Sequence, residues 1–174
     1  MIPDQNSPFA RNFRVNAGGI SVRPGYYTFA SLVGTGAKPF GIANYQQAAS
    51  SALLVGYKVD ATHYLTTLTS LGVQVDVLTG ANITSEAKMN FITANNAIYC
   101  MNGVDTYGKL SGATYSIPTS GVANFKPTFG TYFNNCGWVT GLPTNPTKLY
   151  KSVANNLDDY SGAGSDAFTA PYNI

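Results

Sequence analysis

Residues 96–115 read NAIYCMNGVDTYGKLSGATY. Ala97 to Met101 is a short apolar run, Asn102-Gly103 is a dipeptide that tolerates positive φ, and a more polar run follows around Lys109 and Gly112. Run, turn and run in that order predict two neighbouring antiparallel strands, with Asn102-Gly103 as the tight hairpin. On this reading Asp105 and Lys109 serve turns and solvent rather than chemistry.

The pattern extends along the chain. Runs of four to seven residues with period-two alternation, each bounded by Gly, Asn, Ser or Pro, are frequent, and a 3.6-residue period is hardly seen. Strands are expected at 19–22, 26–29, 40–45, 53–58, 63–67, 73–77, 89–93, 97–101, 129–133, 137–140 and 148–151. Three segments share one plan: FGIANYQQAASSALLVGYKVDATHYLTTLT from Phe40, FITANNAIYCMNGVDTYGKLSGATYSI from Phe91 and FGTYFNNCGWVTGLPTNPTKLYKSV from Phe129. Each opens on an aromatic-led strand, passes an Asn- or Ser-bearing turn, and continues through an apolar strand to a Gly and a polar strand. The overlay makes Tyr99 and Trp138 equivalent. A period of roughly 40 to 50 residues is that of a four-stranded propeller blade. The predicted class is therefore all-β, with short antiparallel strands in propeller-like blades, as a partial propeller or an open β-sheet assembly; a β-sandwich also fits the pattern. The chain divides into an extended arm (1–12), a β domain of about three blade-like units (13–167) and a tail (168–174).

Composition narrows the partners. The 174 residues suffice for one domain with a sizeable core. Only 10% are charged, against roughly 25% in ordinary domains, so the surface is polar but largely uncharged and suits packing against other protein. A net charge of +2 with scattered lysines makes no basic stripe for a phosphate backbone, and no specific nucleic acid is expected. No run approaches eighteen apolar residues, and the N-terminus lacks the form of a signal peptide, so no membrane partner is expected and synthesis is placed in the cytoplasm. Cys100 and Cys136 are read as reduced, half-buried thiols, and Asn82-Ile83-Thr84 as a glycosylation acceptor without a secretory route.

Candidate chemistry is thin. His63 is the sole histidine and has no local companion for a metal or general-base site, so it is read as a structural or surface histidine. GTGAKPFG (34–41) lacks the order of a phosphate loop, and Pro39 removes an amide donor; it is read as an inter-strand loop. Asp158, Asp159 and Asp166 form the one local carboxylate cluster, but their spacing is not that of a calcium loop and their small neighbours suit turns. Glu86 is the only glutamate, which disfavours a paired-carboxylate glycosidase. Phe40, Tyr45, Phe91, Tyr99, Phe129, Phe133 and Trp138 are the expected core aromatics. No catalytic, cofactor or metal residue is assigned, and no cofactor is expected.

Three stretches carry a resemblance. SPFARNFRVNAGGISVRPGYYTF (7–29), through Asn12, Val15, Gly19, Arg23, Gly25 and Tyr26, resembles the N-terminal arm and first strands of tail-associated β-propeller structural proteins of tailed bacteriophages. AIYCMNGVDTYGKLSGATY resembles a blade of that family through Asn102, Gly103, Asp105, Lys109 and Gly112. TKLYKSVANNLDDYSGAGSDAF resembles another element through Leu149, Tyr150, Ser152, Asp158, Asp159, Ser161, Gly162, Gly164 and Ser165. Tyr160 stands where the family commonly has Trp, and Leu157 where it commonly has Pro. Family members usually continue for further blades. The resemblance implies a non-enzymatic virion structural protein of the tail, nozzle or hub, assembled in the host cytoplasm. Its expected partners are other virion proteins (tail, adaptor or hub) and further copies of itself. A propeller-like adhesin for a host glycan or surface protein is the alternative. The arm, and the tail from Phe168 adding a strand to a sheet edge, are the expected assembly devices.

Overall fold

The computed structural model describes residues 13–16, 19–22, 32, 36–47, 50–69, 73–79 and 83–169. Among them the chain is all β, with no helix. Strands β1 (Phe13–Asn16) and β2 (Gly19–Val22) form a two-stranded antiparallel sheet. Three four-stranded antiparallel sheets follow. The first holds β3 (Lys38–Gln47), β4 (Ser50–Val59), β5 (Thr62–Leu68) and β6 (Gln74–Thr79). The second holds β7 (Asn90–Ala94), β8 (Ala97–Met101), β9 (Gly108–Ser111) and β10 (Thr114–Ser116). The third holds β11 (Phe129–Phe133), β12 (Cys136–Leu142), β13 (Asn145–Lys151) and β14 (Asp166–Thr169). Each is a simple meander in which sequence neighbours are sheet neighbours.

The turns explain why the strands pair as they do. Asn95 and Asn96 both take positive φ, as do Asn134 and Asn135. Two successive positive values are what a type I′ two-residue hairpin requires, and Asn adopts them at low cost. These dipeptides set Ala94 opposite Ala97 and Phe133 opposite Cys136. The second and third units therefore start with the same hairpin in the same register, which makes Tyr99 and Trp138 equivalent as expected.

Asn102-Gly103 behaves differently from the sequence reading. It opens a loop between β8 and β9, and only Gly103 has positive φ. The tight turns of this unit are Asn95-Asn96 and the Gly112 turn between β9 and β10. The Asn102 side chain is the reason: its Oδ1 accepts from the N–H of Val104 (3.0 Å) and of Asp105 (2.8 Å), building an Asx turn. Strands β1, β10 and β14 were not among the expected runs, since all three have only three or four residues, whereas β9 is the polar partner strand expected beside 97–101. The expected strand at 26–29, the arm at 1–12 and the Asn82 acceptor lie outside the described residues. Phe168 and Thr169, assigned to the tail, lie within β14, which pairs with β13 of its own sheet.

The sheets meet through their first strands. The N–H of Met89 donates to the Phe40 carbonyl (2.9 Å) and the Thr93 hydroxyl to the Asn44 carbonyl (3.3 Å), tying the β7 side to β3. Asn90 Nδ2 donates to the Thr128 carbonyl (2.9 Å) next to β11. At the other edge β6 and β10, the last strands of the first two sheets, approach each other.

Two apolar clusters fill the spaces between sheets. Tyr45, Leu54, Leu65, Ile98, Cys100 and Leu110 lie between the first and second, with Phe40 and Phe91 packed at the margin. Ile92, Tyr99, Met101, Val139, Tyr150 and Leu157 lie between the second and third. Strand β8 is buried at every residue because its two faces supply different clusters. Aromatic rings link the second cluster: Tyr107 stacks on Tyr99 at 5.5 Å and meets the edge of Phe125 at 5.2 Å, and Phe125 packs on Tyr160 at 4.6 Å.

Phe129 and Phe133, expected in the core, are exposed. Alternation puts them on one face of β11 and Gly130 on the other, and it is Gly130 that faces the second sheet. A Cβ added there would lie 2.7 Å from Ile92 Cδ1 and 2.8 Å from Val139 Cγ1, so the missing side chain permits the close approach of the two sheets. Both cysteines are free and fully rather than half buried. Burial raises the Cys100 thiol pKa to about 12, which keeps it protonated and unreactive at neutral pH. Ile98 has no exposed surface, so Ile98→Ala is expected to cost about 2–5 kcal/mol, read as a lower urea midpoint at unchanged slope.

Candidate functional site

Asp105 and Lys109 of the 96–115 stretch and Asp158 of the loop after β13 act between units. Asp105 is buried in the loop after β8. Its Oδ1 accepts from the Thr84 N–H (3.0 Å) and hydroxyl (2.6 Å), and its Oδ2 from the Ser85 N–H (3.3 Å) and Asn102 Nδ2 (2.8 Å). Thr84 and Ser85 belong to the segment that joins the first sheet to the second. One carboxylate thus pins the connection between two units. Burial acts to raise the Asp105 pKa, but the bonds from Thr84, Asn102 and Ser85 outweigh it and hold the carboxyl below its usual range.

Asp158 makes the corresponding fastening between the second and third units. The loop after β13 brings it to the second sheet, where Oδ1 accepts from the Tyr99 hydroxyl at 3.0 Å and Oδ2 from Lys109 Nζ at 2.6 Å. Tyr99 and Lys109 are cross-strand partners on β8 and β9, and the ammonium lies 5.6 Å from the Tyr99 ring centre. Burial first, and then the Asp158 charge, push the Tyr99 hydroxyl pKa up, so it stays a donor. Nearby, Asn95 Nδ2 donates to the Asn155 carbonyl (3.2 Å). Lys109, read as solvent-facing, is half-buried and ion-paired; no signal in the sequence joined it to a residue 49 positions away.

The three carboxylates of the sequence cluster are put to separate uses. Asp159 Oδ1 accepts from the N–H groups of Ser161 (2.8 Å) and Gly162 (2.9 Å), which close the turn and lower its pKa. Asp166, on β14, accepts from the Ala167 N–H at 2.8 Å. Among the described residues no group of three or more His, Cys, Asp and Glu is placed to hold a metal. His63 is buried on β5 with its ring 5.9 Å from that of Phe40. Residues 38–41 of the GTGAKPFG stretch, read as loop, already belong to β3. Pro39, Phe40 and Gly41 border a groove of ≈ 560 Å³ formed with Val55, Met89 and Phe91. Lys88 is its only ionisable lining group, so it offers no acid and base pair for catalysis.

The far face of the third sheet exposes several aromatic side chains. Its rows follow from the register: Thr131, Trp138, Lys151 and Asp166 lie across the four strands, and Phe129, Thr140, Leu149 and Phe168 form the next row. Phe129, Phe133 and Phe168 are 55%, 69% and 46% exposed. Trp138 stacks on Phe168 at 6.0 Å and donates its Nε1–H to the Phe133 carbonyl at 3.2 Å. Trp138, expected in the core, is half-buried on this outer face.

No protein-family model, curated protein or solved structure matches the chain.

Asp105→Asn should remove the charge and replace one of the two acceptor oxygens by a donor, and cost about 1–3 kcal/mol at neutral pH. Because the folded pKa is lowered, this stabilisation is present above the unfolded value of about 3.9 and is lost as pH falls through the folded one. Denaturation midpoints of the two proteins should therefore converge below about pH 4. A double-mutant cycle of Tyr99→Phe and Asp158→Asn should give a coupling of about 0.5–1.5 kcal/mol, and a value near zero would show that the clamp is not made.

Proposed function

We propose that the chain is a structural component of a tailed-phage virion, in the tail, nozzle or hub, and that it works by protein–protein assembly rather than catalysis. One observation carries this reading. The residues behind the resemblance hold the fold together: Asn102 and Asp105 fix one junction, Lys109 and Asp158 the next, and Ser152 accepts from the Gly137 N–H at 2.9 Å. A motif whose polar groups are consumed in fastening sheets marks a building unit.

The blade reading draws support from the same geometry. Three successive four-stranded meanders bring β3, β7 and β11 together at one edge, while β6 and β10 approach at the other. That is how the inner and outer strands of neighbouring propeller blades are disposed. The low charge and the aromatic far face suit burial against protein. Exposed rings at Phe129, Phe133 and Phe168 also favour a second reading, an adhesin that stacks sugar rings on this face.

Particles purified by density gradient and analysed by quantitative mass spectrometry are expected to contain the chain at a fixed ratio to other virion proteins. Its absence from particles, with binding on a glycan array, would replace the structural reading by the adhesin one. Deleting residues 1–12 is expected to lower incorporation, and unchanged incorporation would remove the arm from the mechanism.

A further inference from the structure

We infer that Asn102 is a site of spontaneous covalent modification, deamidation by the Gly103 amide nitrogen, which the fold holds off for as long as the junctions between units stay closed. The inference goes beyond the assembly reading and does not depend on it.

Asn102-Gly103 is the only Asn-Gly pair in the sequence. The chemistry is general to such pairs. The deprotonated Gly103 nitrogen attacks Asn102 Cγ; the N–Cγ bond forms, the Cγ–Nδ2 bond breaks, and ammonia leaves with the proton that Gly103 gave up. The cyclic imide then takes up water at either carbonyl, leaving aspartate or isoaspartate at position 102. Glycine favours the step because no Cβ obstructs the approach to its nitrogen or restricts the backbone as the ring closes.

The structure closes each entry to this reaction. The nucleophile is engaged, since the Gly103 N–H donates to the Pro127 carbonyl at 3.0 Å, a neutral acceptor that does not take up the proton. The electrophile is engaged at both ends: Asn102 Oδ1 accepts from the Val104 and Asp105 N–H groups, and Nδ2 donates to Asp105 Oδ2. Asn102 is only 5% exposed, which limits the water that would carry the proton away. A Cβ built on Gly103 would lie 2.5 Å from Thr128 Oγ1, so the Gly103 backbone is packed against Thr128. These partners come from different parts of the chain. Asp105 is itself held by Thr84 and Ser85 of the segment from the first sheet, and Pro127 and Thr128 lead into β11. Reaction therefore waits on a local opening of these contacts.

The change runs one way. An aspartate at position 102 would still accept from the Val104 and Asp105 N–H groups, but its second oxygen would take the place of Nδ2, 2.8 Å from Asp105 Oδ2. Two buried carboxylates that close do not both ionise, and isoaspartate adds a methylene to the main chain. A junction that has opened and reacted does not close again in its original form.

The full chain aged in mildly alkaline buffer, with and without urea, and then digested with trypsin supplies the test. Cleavage after Lys88 and Lys109 isolates Asn102, and fragment masses separate it from Asn90, Asn95 and Asn96 of the same peptide. Asn102 of the folded protein is expected to deamidate at least about thirtyfold more slowly than in the urea-unfolded chain. Asp105→Asn, which weakens the holding contacts, is expected to raise the folded rate about fivefold or more. If that variant does not fold, urea below the unfolding midpoint should raise the rate in the native sequence. Asn102→Asp installs one product directly and is expected to lower the thermal midpoint at neutral pH, by a deficit that narrows towards about pH 4, where the paired carboxyls share a proton. Equal rates in folded and unfolded chains would overturn the inference. So would a folded rate that neither Asp105→Asn nor sub-denaturing urea raises, or an Asn102→Asp protein as stable as the native one at neutral pH.

Discussion

A four-stranded sheet that is apolar on both faces cannot stand alone in water, and this constraint organises the molecule. Strand β8 shows it most directly: Ile98 and Cys100 on one side and Ala97, Tyr99 and Met101 on the other are all buried, in two different clusters. Burial of such side chains contributes roughly 1.5–3 kcal/mol each, but only when a neighbouring sheet covers them. The second sheet therefore depends on the first and the third.

Apolar contact is non-directional, and the polar residues supply the direction. Asp105 receives four bonds from two loops, and Asp158 splits its oxygens between a tyrosine and a lysine of the next sheet. Each bond is worth little on net, and a lost partner would leave a half-buried charge or a donor unsatisfied. These groups are therefore better understood as setting the relative position of the sheets than as adding bulk stability. The glycines contribute by absence. A Cβ at Gly130 would meet Ile92 of the second sheet, and one at Gly137 would meet Leu157 and Tyr160 of the loop after β13, so the bare positions let the second sheet and that loop pack against the third.

Much of the local structure could be read in advance. The expected runs at 97–101 and 129–133 coincide with β8 and β11, and those at 40–45, 53–58 and 63–67 fall inside longer strands. The Asn-Asn dipeptides were visible as turns because positive φ at two successive residues demands such side chains. Short polar strands escaped notice: β10 has three residues and one apolar side chain, too few for a period to show. Asn102-Gly103 misled because the Asn side chain captured two amides of its own loop, a choice that depends on what Asp105 binds elsewhere.

Phe129, Phe133 and Trp138 mark the boundary between the two kinds of information. By itself, the sequence determined that these residues alternate with Gly130, Tyr132, Gly137 and Val139, that the chain repeats a β unit three times, and that Tyr99 and Trp138 are equivalent. Alternation divides a strand into two faces without saying which is covered, because the period is two whichever face meets a neighbour. Only the tertiary structure decided that the glycine side of the third sheet closes on the second, that Lys109 reaches Asp158 across units, and that the aromatic side is left facing solvent.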